Sequence, residues 1–183
     1  MIRLASASET RAMLLKNAGI DFIQSPVGFD EENVAADSPK SFVYQATVGK
    51  FEAALKRYGY EEYPLLAADT VVTSQGQILR KARCVDDARN ILMTQSGNVT
   101  SIVTCMIFQS RQLKLVDLSA TDYVFAPFDP DDLERYLDSG EWRGKAGACM
   151  VEGFCKPYIV EVRGYESTAM GLSVEVLQAF MEL

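Results

Sequence analysis

Two long β-patterned runs, residues 99–108 and 113–125, constrain the fold of this 183-residue chain most. They read as neighbouring antiparallel strands of 10 residues or more, in a chain that otherwise mixes short strands with helices. Ile2-Arg3-Leu4-Ala5 opens as a strand. Residues 9–18 follow as a helix with Ser8 as N-cap and Gly19 as its stop. Residues 22–27 read as a second strand, and Ser38-Pro39 opens a long helix that reaches residue 58. Leu65-Leu66-Ala67-Ala68 predicts a buried strand ending on Asp69-Thr70, with a hairpin at Ser74-Gln75-Gly76 joining 71–73 to 77–79. A helix over 85–94 starts with Asp86 and Asp87 near its positive end. A helix over 130–137, a glycine-bearing loop over 140–153, a strand over 158–162 and a closing helix over 168–183 complete the pattern. This mixture predicts an α/β fold, a mixed twisted sheet with flanking helices. No repeat or linker divides it, so a single domain over 1–183 is expected.

A chain of this length buries enough surface to fold without a disulfide or metal staple. Apolar content of 48% and charged content of 23% are ordinary for a globular domain. No apolar run approaches the ~20 residues of a membrane span, and the N-terminus is too soon polar for a signal peptide. These features point to the cytoplasm and to no membrane partner. The net charge of −7 argues against nucleic acid as a partner, because a polyanion requires a basic face. It leaves room for a small anion held by a few local cations. The four cysteines, Cys84, Cys105, Cys149 and Cys155, form no CxxC pair and read as free, buried thiols in a reducing compartment.

Histidine is absent. That removes Ser-His-Asp and Cys-His nucleophile systems, His-ligated zinc and His general bases. Proton transfer then falls to Asp or Glu, and a metal would be a hard, oxygen-ligated ion such as Mg²⁺ or Mn²⁺.

Five places could carry chemistry. Ser6-Ala7-Ser8 lies between a strand and a helix N-terminus, with Arg11 one turn in. Free N–H groups, two hydroxyls and a guanidinium fork suit a phosphate, although a plain N-cap with a surface arginine explains the same residues. Asp30-Glu31-Glu32 is a solvated acidic turn or a source of metal ligands. Asp69 directly follows an apolar strand, where sheet enzymes place ligands, and could orient a metal or water or simply cap a turn. Lys50 and Lys81 are surface lysines or, with Arg11, the cations that a triphosphate needs. In the loop over 144–153, Lys145 sits among small residues that permit close backbone approach, and Glu152 could accept hydrogen bonds from a base edge. That loop could equally be a flexible surface segment with an exposed glutamate.

The order of these signals resembles the Maf family of nucleotide pyrophosphatases, also known as septum formation inhibitor proteins, from Arg3 to about Phe180. The family's S-x-S-P-R-R opening stands here as Ser6-Ala7-Ser8-Glu9-Thr10-Arg11. Its D-E loop is Asp30-Glu31, and its E-K-A helix motif is reduced to Gly49-Lys50-Phe51. Its A-D-T-V-V strand is intact at 68–72, and its G-K-P is Arg80-Lys81-Ala82. Its L-S-G is Gln95-Ser96-Gly97. Its G-E-x(3)-K-A-G-x(4)-[QE]-G stretch is kept through Gly140-Glu141, Lys145-Ala146-Gly147 and Glu152-Gly153, and its G-L-P is Gly171-Leu172-Ser173.

The resemblance implies two lobes around a deep cleft, as in Maf and ITPase-like proteins, and a homodimer. It implies the reaction NTP + H₂O → NMP + PPi. Asp69 would be the proton acceptor, assisted by Lys81 and Glu31. Glu31 and Asp69 would hold a divalent metal. Ser6, Ser8, Arg11, Lys50, Lys81 and Lys145 would hold the triphosphate. Positions thought to set base choice fall on Thr10, Thr70 and Glu152. The pyrimidine branch carries Arg, Thr and Gln there, and the 7-methyl-GTP branch carries Trp, Gln and Glu. The Thr, Thr, Glu of this chain matches neither, so the base stays open between common and modified triphosphates. Drift at Glu9, Thr10, Gly49 and Arg80 also keeps a non-catalytic nucleotide-binding regulator of septum formation in view, and a plain phosphomonoesterase is a third reading.

Overall fold

A computed structural model describes residues 1–31 and 34–181. Glu32 of the acidic turn and the last two residues of the expected closing helix lie outside the described residues. The elements run β1 (Ile2–Leu4), α1 (Glu9–Asn17), β2 (Phe22–Gln24), α2 (Pro39–Tyr58), β3 (Leu65–Ser74), β4 (Gln77–Ile78), α3 (Val85–Gln95), β5 (Val99–Gln109), β6 (Lys114–Phe125), α4 (Pro130–Ser139), β7 (Ile159–Arg163), α5 (Glu166–Ala169) and α6 (Val174–Met181). The seven strands form a mixed sheet of order β2-β1-β3-β5-β6-β7, with β4 paired to β3. The α/β expectation holds. Among the described residues no helix is long and apolar enough to cross a membrane.

The chain forms two compact units. The first comprises Met1–Thr70, Val103–Ala120 and Tyr165–Leu183. In it β1 runs parallel to both β2 and β3, with Leu4 opposite Gln24 and Leu66. Parallel neighbours require a crossover, and α1 supplies it between β1 and β2. Leu66 and Ala68 of β3 pack with Ile2, Leu15, Met106, Phe108 and Leu177, whereas Leu65 and Ala67 pack with Phe51, Ala54 and Ile107. Successive side chains leave opposite faces of a strand, so β3 is buried on both faces. That is why its sequence is an unbroken apolar run rather than an alternation.

The second unit comprises Val71–Ile102 and Thr121–Gly164. Asp129 caps α4 by accepting hydrogen bonds from the Asp131 and Asp132 amides at 2.9 and 3.0 Å, ahead of Pro130 at the first helical position. Arg89 of α3 forms a two-pronged ion pair with Glu134 of α4. An aromatic cluster of Tyr136, Phe154, Phe128, Tyr158 and Phe125 fills this unit, with Tyr136 and Phe154 stacked at 4.4 Å. The Trp142 indole is buried and donates to the Leu137 carbonyl at 2.9 Å.

Four sequence expectations are corrected. Asp69 and Thr70 do not end a strand: β3 continues through them to Ser74, because Thr70, Val71, Val72 and Thr73 are β-branched and suit the ladder. The second strand stops at Gln24, shortly before Pro26, which has no N–H for the ladder. The closing helix is two helices, interrupted between α5 and α6 at Gly171, whose φ of +105° is not helical. The cysteines are not all free. Cys149 and Cys155 are joined in a disulfide with their Cα atoms 6.3 Å apart, and Cys84 is exposed. Only Cys105 is a buried free thiol, and burial pushes its pKa up to about 11. A turn in which the Gly153 and Cys155 amides both donate to the Met150 carbonyl folds the 149–155 segment back on itself, a closure invisible in Cys spacing alone.

Candidate active site around Asp69

The strand-to-helix turn after β1 folds as its residues dictate. Ser8 has extended backbone, and its Oγ accepts the Arg11 amide at 3.3 Å, which caps α1. The Ser6 hydroxyl, nearly buried, accepts from the Ser8 amide at 3.2 Å and from Arg11 Nη1 at 3.1 Å. Arg11 therefore turns back over the turn that precedes its own helix. Its Nε donates to the Gly171 carbonyl at 2.8 Å and its Nη2 to Thr70 Oγ1 at 3.1 Å. The same Thr70 hydroxyl lies 2.9 Å from Thr104 Oγ1. Burial pulls the Arg11 pKa down from its ordinary value, against the opposing pull of Asp69 and Glu31.

Beside Thr70 on β3, Asp69 is 6% exposed. Its Oδ1 accepts from Lys50 Nζ of α2 at 2.7 Å, and Lys50 also pairs with Glu31. Asp69 Oδ2 is buried with no hydrogen-bond partner. An orphaned carboxylate oxygen in a folded interior is uncommon and calls for a partner. Burial, the largest influence, pushes the Asp69 pKa above the usual carboxylate range, and Lys50 draws it back. Among the described residues there is no group of three or more Asp, Glu or Cys side chains able to hold a metal. The carboxylates of Glu31 and Asp69 are bridged by Lys50.

Gly49, beside Lys50 on α2, leaves room for an aromatic ring. A Cβ at Gly49 would collide with Cε2 and Cζ of Phe29, so the Phe29 ring occupies the space a side chain at 49 would need. This contact holds the stretch before Glu31 against α2, one residue from Lys50. Gly171 has a similar constraint: besides its positive φ, a Cβ there would meet Thr70 Oγ1 at 3.2 Å and Arg11 Nε at 3.4 Å.

Ser6, Ser8, Arg11, Glu31, Lys50, Asp69 and Thr70 thus all belong to the first unit and are linked through the contacts above. Thr10, on α1, is exposed. Lys81, Lys145 and Glu152 belong to the second unit. There, Lys81 forms a β-bridge with Ala146, next to Lys145. The Gly147 amide donates to the Leu79 carbonyl at 3.1 Å, and fully buried Gln95 donates from Nε2 to the Gly147 carbonyl at 2.7 Å. Lys81 is exposed, and with Arg80 and Arg83 it lines a cavity of about 570 Å³ that contains neither Asp69 nor Arg11. Glu152 is exposed on the segment spanned by the Cys149–Cys155 disulfide. Sequence reasoning missed Thr104, Gln95 and the carbonyl of Gly171. Thr104 carries a weak signal as a polar residue inside an apolar stretch, Gln95 stands among polar neighbours, and a backbone acceptor carries none.

Known proteins resemble this chain along its whole length. A family described as Maf-like protein matches residues 1–183. A nucleoside triphosphate pyrophosphatase of a Nitratiruptor species is 60% identical over 97% of this chain and 96% of its own length. A nucleoside triphosphate pyrophosphatase of Helicobacter pylori is 38% identical over 98% of this chain and 94% of its own length. Among solved structures, the Staphylococcus aureus Ham1 protein superimposes with a TM-score of 0.55 at 16% identity, covering 99% of this chain and 97% of its own, a likeness of fold alone. With the family match spanning the whole sequence and a relative identical at more than half of the aligned positions, the chain belongs to the Maf-like protein family.

Proposed function

We infer that this chain, acting as one catalytic domain, is a nucleoside triphosphate pyrophosphatase: it hydrolyses a nucleoside triphosphate at the α-phosphate to a nucleoside monophosphate and pyrophosphate. The observation that carries the reading is Asp69, buried on β3 with Oδ1 held by Lys50 and Oδ2 open. Water attacks the α-phosphorus, the bond to the bridging oxygen of the β-phosphate breaks, and pyrophosphate departs. Asp69 takes the proton of the attacking water. Burial raises its pKa and makes it a stronger base, and Lys50 opposes part of that rise. Ser6, Ser8 and Arg11 receive phosphate oxygens at the α1 N-terminus, where free amides and the helix dipole favour an anion. Lys81 and Lys145 neutralise charge on the departing pyrophosphate.

The open Asp69 oxygen and the Glu31 carboxylate are hard donors that suit Mg²⁺ or Mn²⁺. Such an ion, when bound, polarises phosphoryl oxygens. Thr70 serves Arg11, because its hydroxyl is already engaged, and base choice then rests on Thr10 and Glu152. Action in the cytoplasm on free nucleotides, as a homodimer, completes the reading; the net charge of −7 supports free nucleotides over nucleic acid.

The test is product analysis on common and modified triphosphates, 7-methyl-GTP included, with Mg²⁺ or Mn²⁺. Pyrophosphate and monophosphate from wild type, lost in Asp69→Asn, are expected. Orthophosphate as the first product would point to a phosphomonoesterase instead. Nucleotide binding without turnover would favour a regulator, which the intact Asp69–Lys50–Glu31 group argues against.

A further inference from the structure

Thr104 sits on β5 with no exposure to solvent, in the apolar run Val103-Thr104-Cys105-Met106. A buried hydroxyl must be satisfied, and this one is, in a way that fixes direction. Thr104 Oγ1 lies 2.7 Å from the carbonyl oxygen of Thr168. A carbonyl only accepts, so the single hydroxyl proton of Thr104 points there. Thr104 therefore accepts from Thr70 across their 2.9 Å contact, and Thr70 spends its own proton on Thr104. The Thr70 oxygen then has lone pairs only for Arg11 Nη2, at 3.1 Å. The proton order is set along the whole line: Arg11 to Thr70 to Thr104 to the Thr168 carbonyl.

Arg11 is tied to the same segment a second time, through Nε and the Gly171 carbonyl at 2.8 Å. A third bond runs from Nη1 to Ser6. Of the five guanidinium N–H groups, three are committed within the protein, and one on each terminal nitrogen remains for a ligand. The plane of the guanidinium is thereby fixed before any anion arrives, which is the condition for electrostatic stabilisation without reorganisation. Without the Thr104 hydroxyl, Thr70 loses the acceptor for its proton. It would then donate elsewhere, and its lone pairs would no longer be held toward Nη2.

We propose that Thr104 is a positioning residue for the reaction: through Thr70 it locks the Arg11 guanidinium into the orientation that receives the triphosphate. The proposal rests on the reading of Arg11 as a phosphate ligand.

Steady-state kinetics with the triphosphate that wild type turns over fastest provide the test. Thr104→Val keeps the shape and removes the hydroxyl. It is expected to lower kcat about tenfold, the scale of a slightly misaligned group, with KM changed less than about threefold. Thr104→Ser restores the hydroxyl and is expected to recover at least half of kcat, although it leaves a methyl-sized gap in the core. In an Arg11→Lys background, which has no fork to align, Thr104→Val is expected to cost less than about a further twofold. Should Thr104→Val not fold, Thr104→Ala removes the hydroxyl without adding bulk and carries the same expectations. Wild-type kcat in the hydroxyl-free variant overturns the proposal. So does a Thr104→Ser variant as slow as the hydroxyl-free one, or an undiminished loss in the Arg11→Lys background. Full activity of Arg11→Lys alone sinks the reading of Arg11 and the proposal with it. Impaired Arg11→Lys beside an unaffected hydroxyl-free variant sinks the proposal only.

Discussion

The two units treat charge in opposite ways. In the first, Arg11, Lys50 and Asp69 are largely withdrawn from water, and each is held by named partners on different elements. In the second, Lys81 and Glu152 are exposed, and what is held firmly is the backbone beneath them, through the Lys81–Ala146 bridge, Gln95 and the Cys149–Cys155 bond. The contrast separates two ways of preparing a site. Buried charges are oriented in advance by their partners, whereas exposed charges on a fixed backbone can change chemically with little effect on folding.

The sharpest way to break this comparison is Asp69→Asn. Loss of the base should lower kcat on the order of 10²–10⁴-fold. Its effect on stability runs the other way. The Asp69 pKa is raised by folding, so the stability that its neutral form contributes is present below the usual carboxylate value and lost as pH rises through the raised one. Once ionised, wild type carries the burden of a desolvated carboxylate that asparagine does not. Thermal melts should find the variant at least as stable as wild type at pH 7, with its relative advantage shrinking toward acid. A clearly lower melting temperature at pH 7 would mean that the Lys50 pairing outweighs burial.

A pair of lysine substitutions sharpens the contrast. Lys81→Ala should cost about 10²-fold in kcat while leaving the melting temperature unchanged. Lys50→Met should reduce kcat and also destabilise by about 1–3 kcal/mol, because Asp69 and Glu31 lose their shared counter-charge. Equal melting temperatures for the two variants would erase the distinction between the units. The smallest effect belongs to Glu152→Gln. It should shift the preference among bases by about tenfold, the scale of a single polar contact, without moving the melting temperature. Competition assays between guanine-type and pyrimidine triphosphates would read this out, and an unchanged ratio would remove Glu152 from base choice.

Much of the first unit is legible in the sequence because its signals are local. Ser8 caps the helix it precedes, Ser38-Pro39 opens the long one, and the apolar run at 65–68 announces a strand buried on both faces. The linking of Ser6 to Arg11 is nearly local too, and the sequence suggests it. The rest depends on contacts between distant residues. Nothing at position 104 tells that its hydroxyl meets Thr70 and Thr168, and a backbone acceptor such as the Gly171 carbonyl has no residue type to betray it. An acidic residue looks like an interruption, so Asp69 reads as a strand end. It sits within the strand because Lys50 lies close enough to accommodate it. The Cys149–Cys155 pairing is hidden for a related reason, since the turn that closes it is written in backbone geometry.

The Phe29–Gly49 contact bears on how this sequence can change. Any side chain introduced at Gly49 would meet the Phe29 ring, whose Cε2 and Cζ fill the place of its Cβ. A substitution at 49 therefore needs the Phe29 ring to move, or a smaller residue at 29. A graft at position 49 should accordingly carry a smaller residue at 29 in the same step.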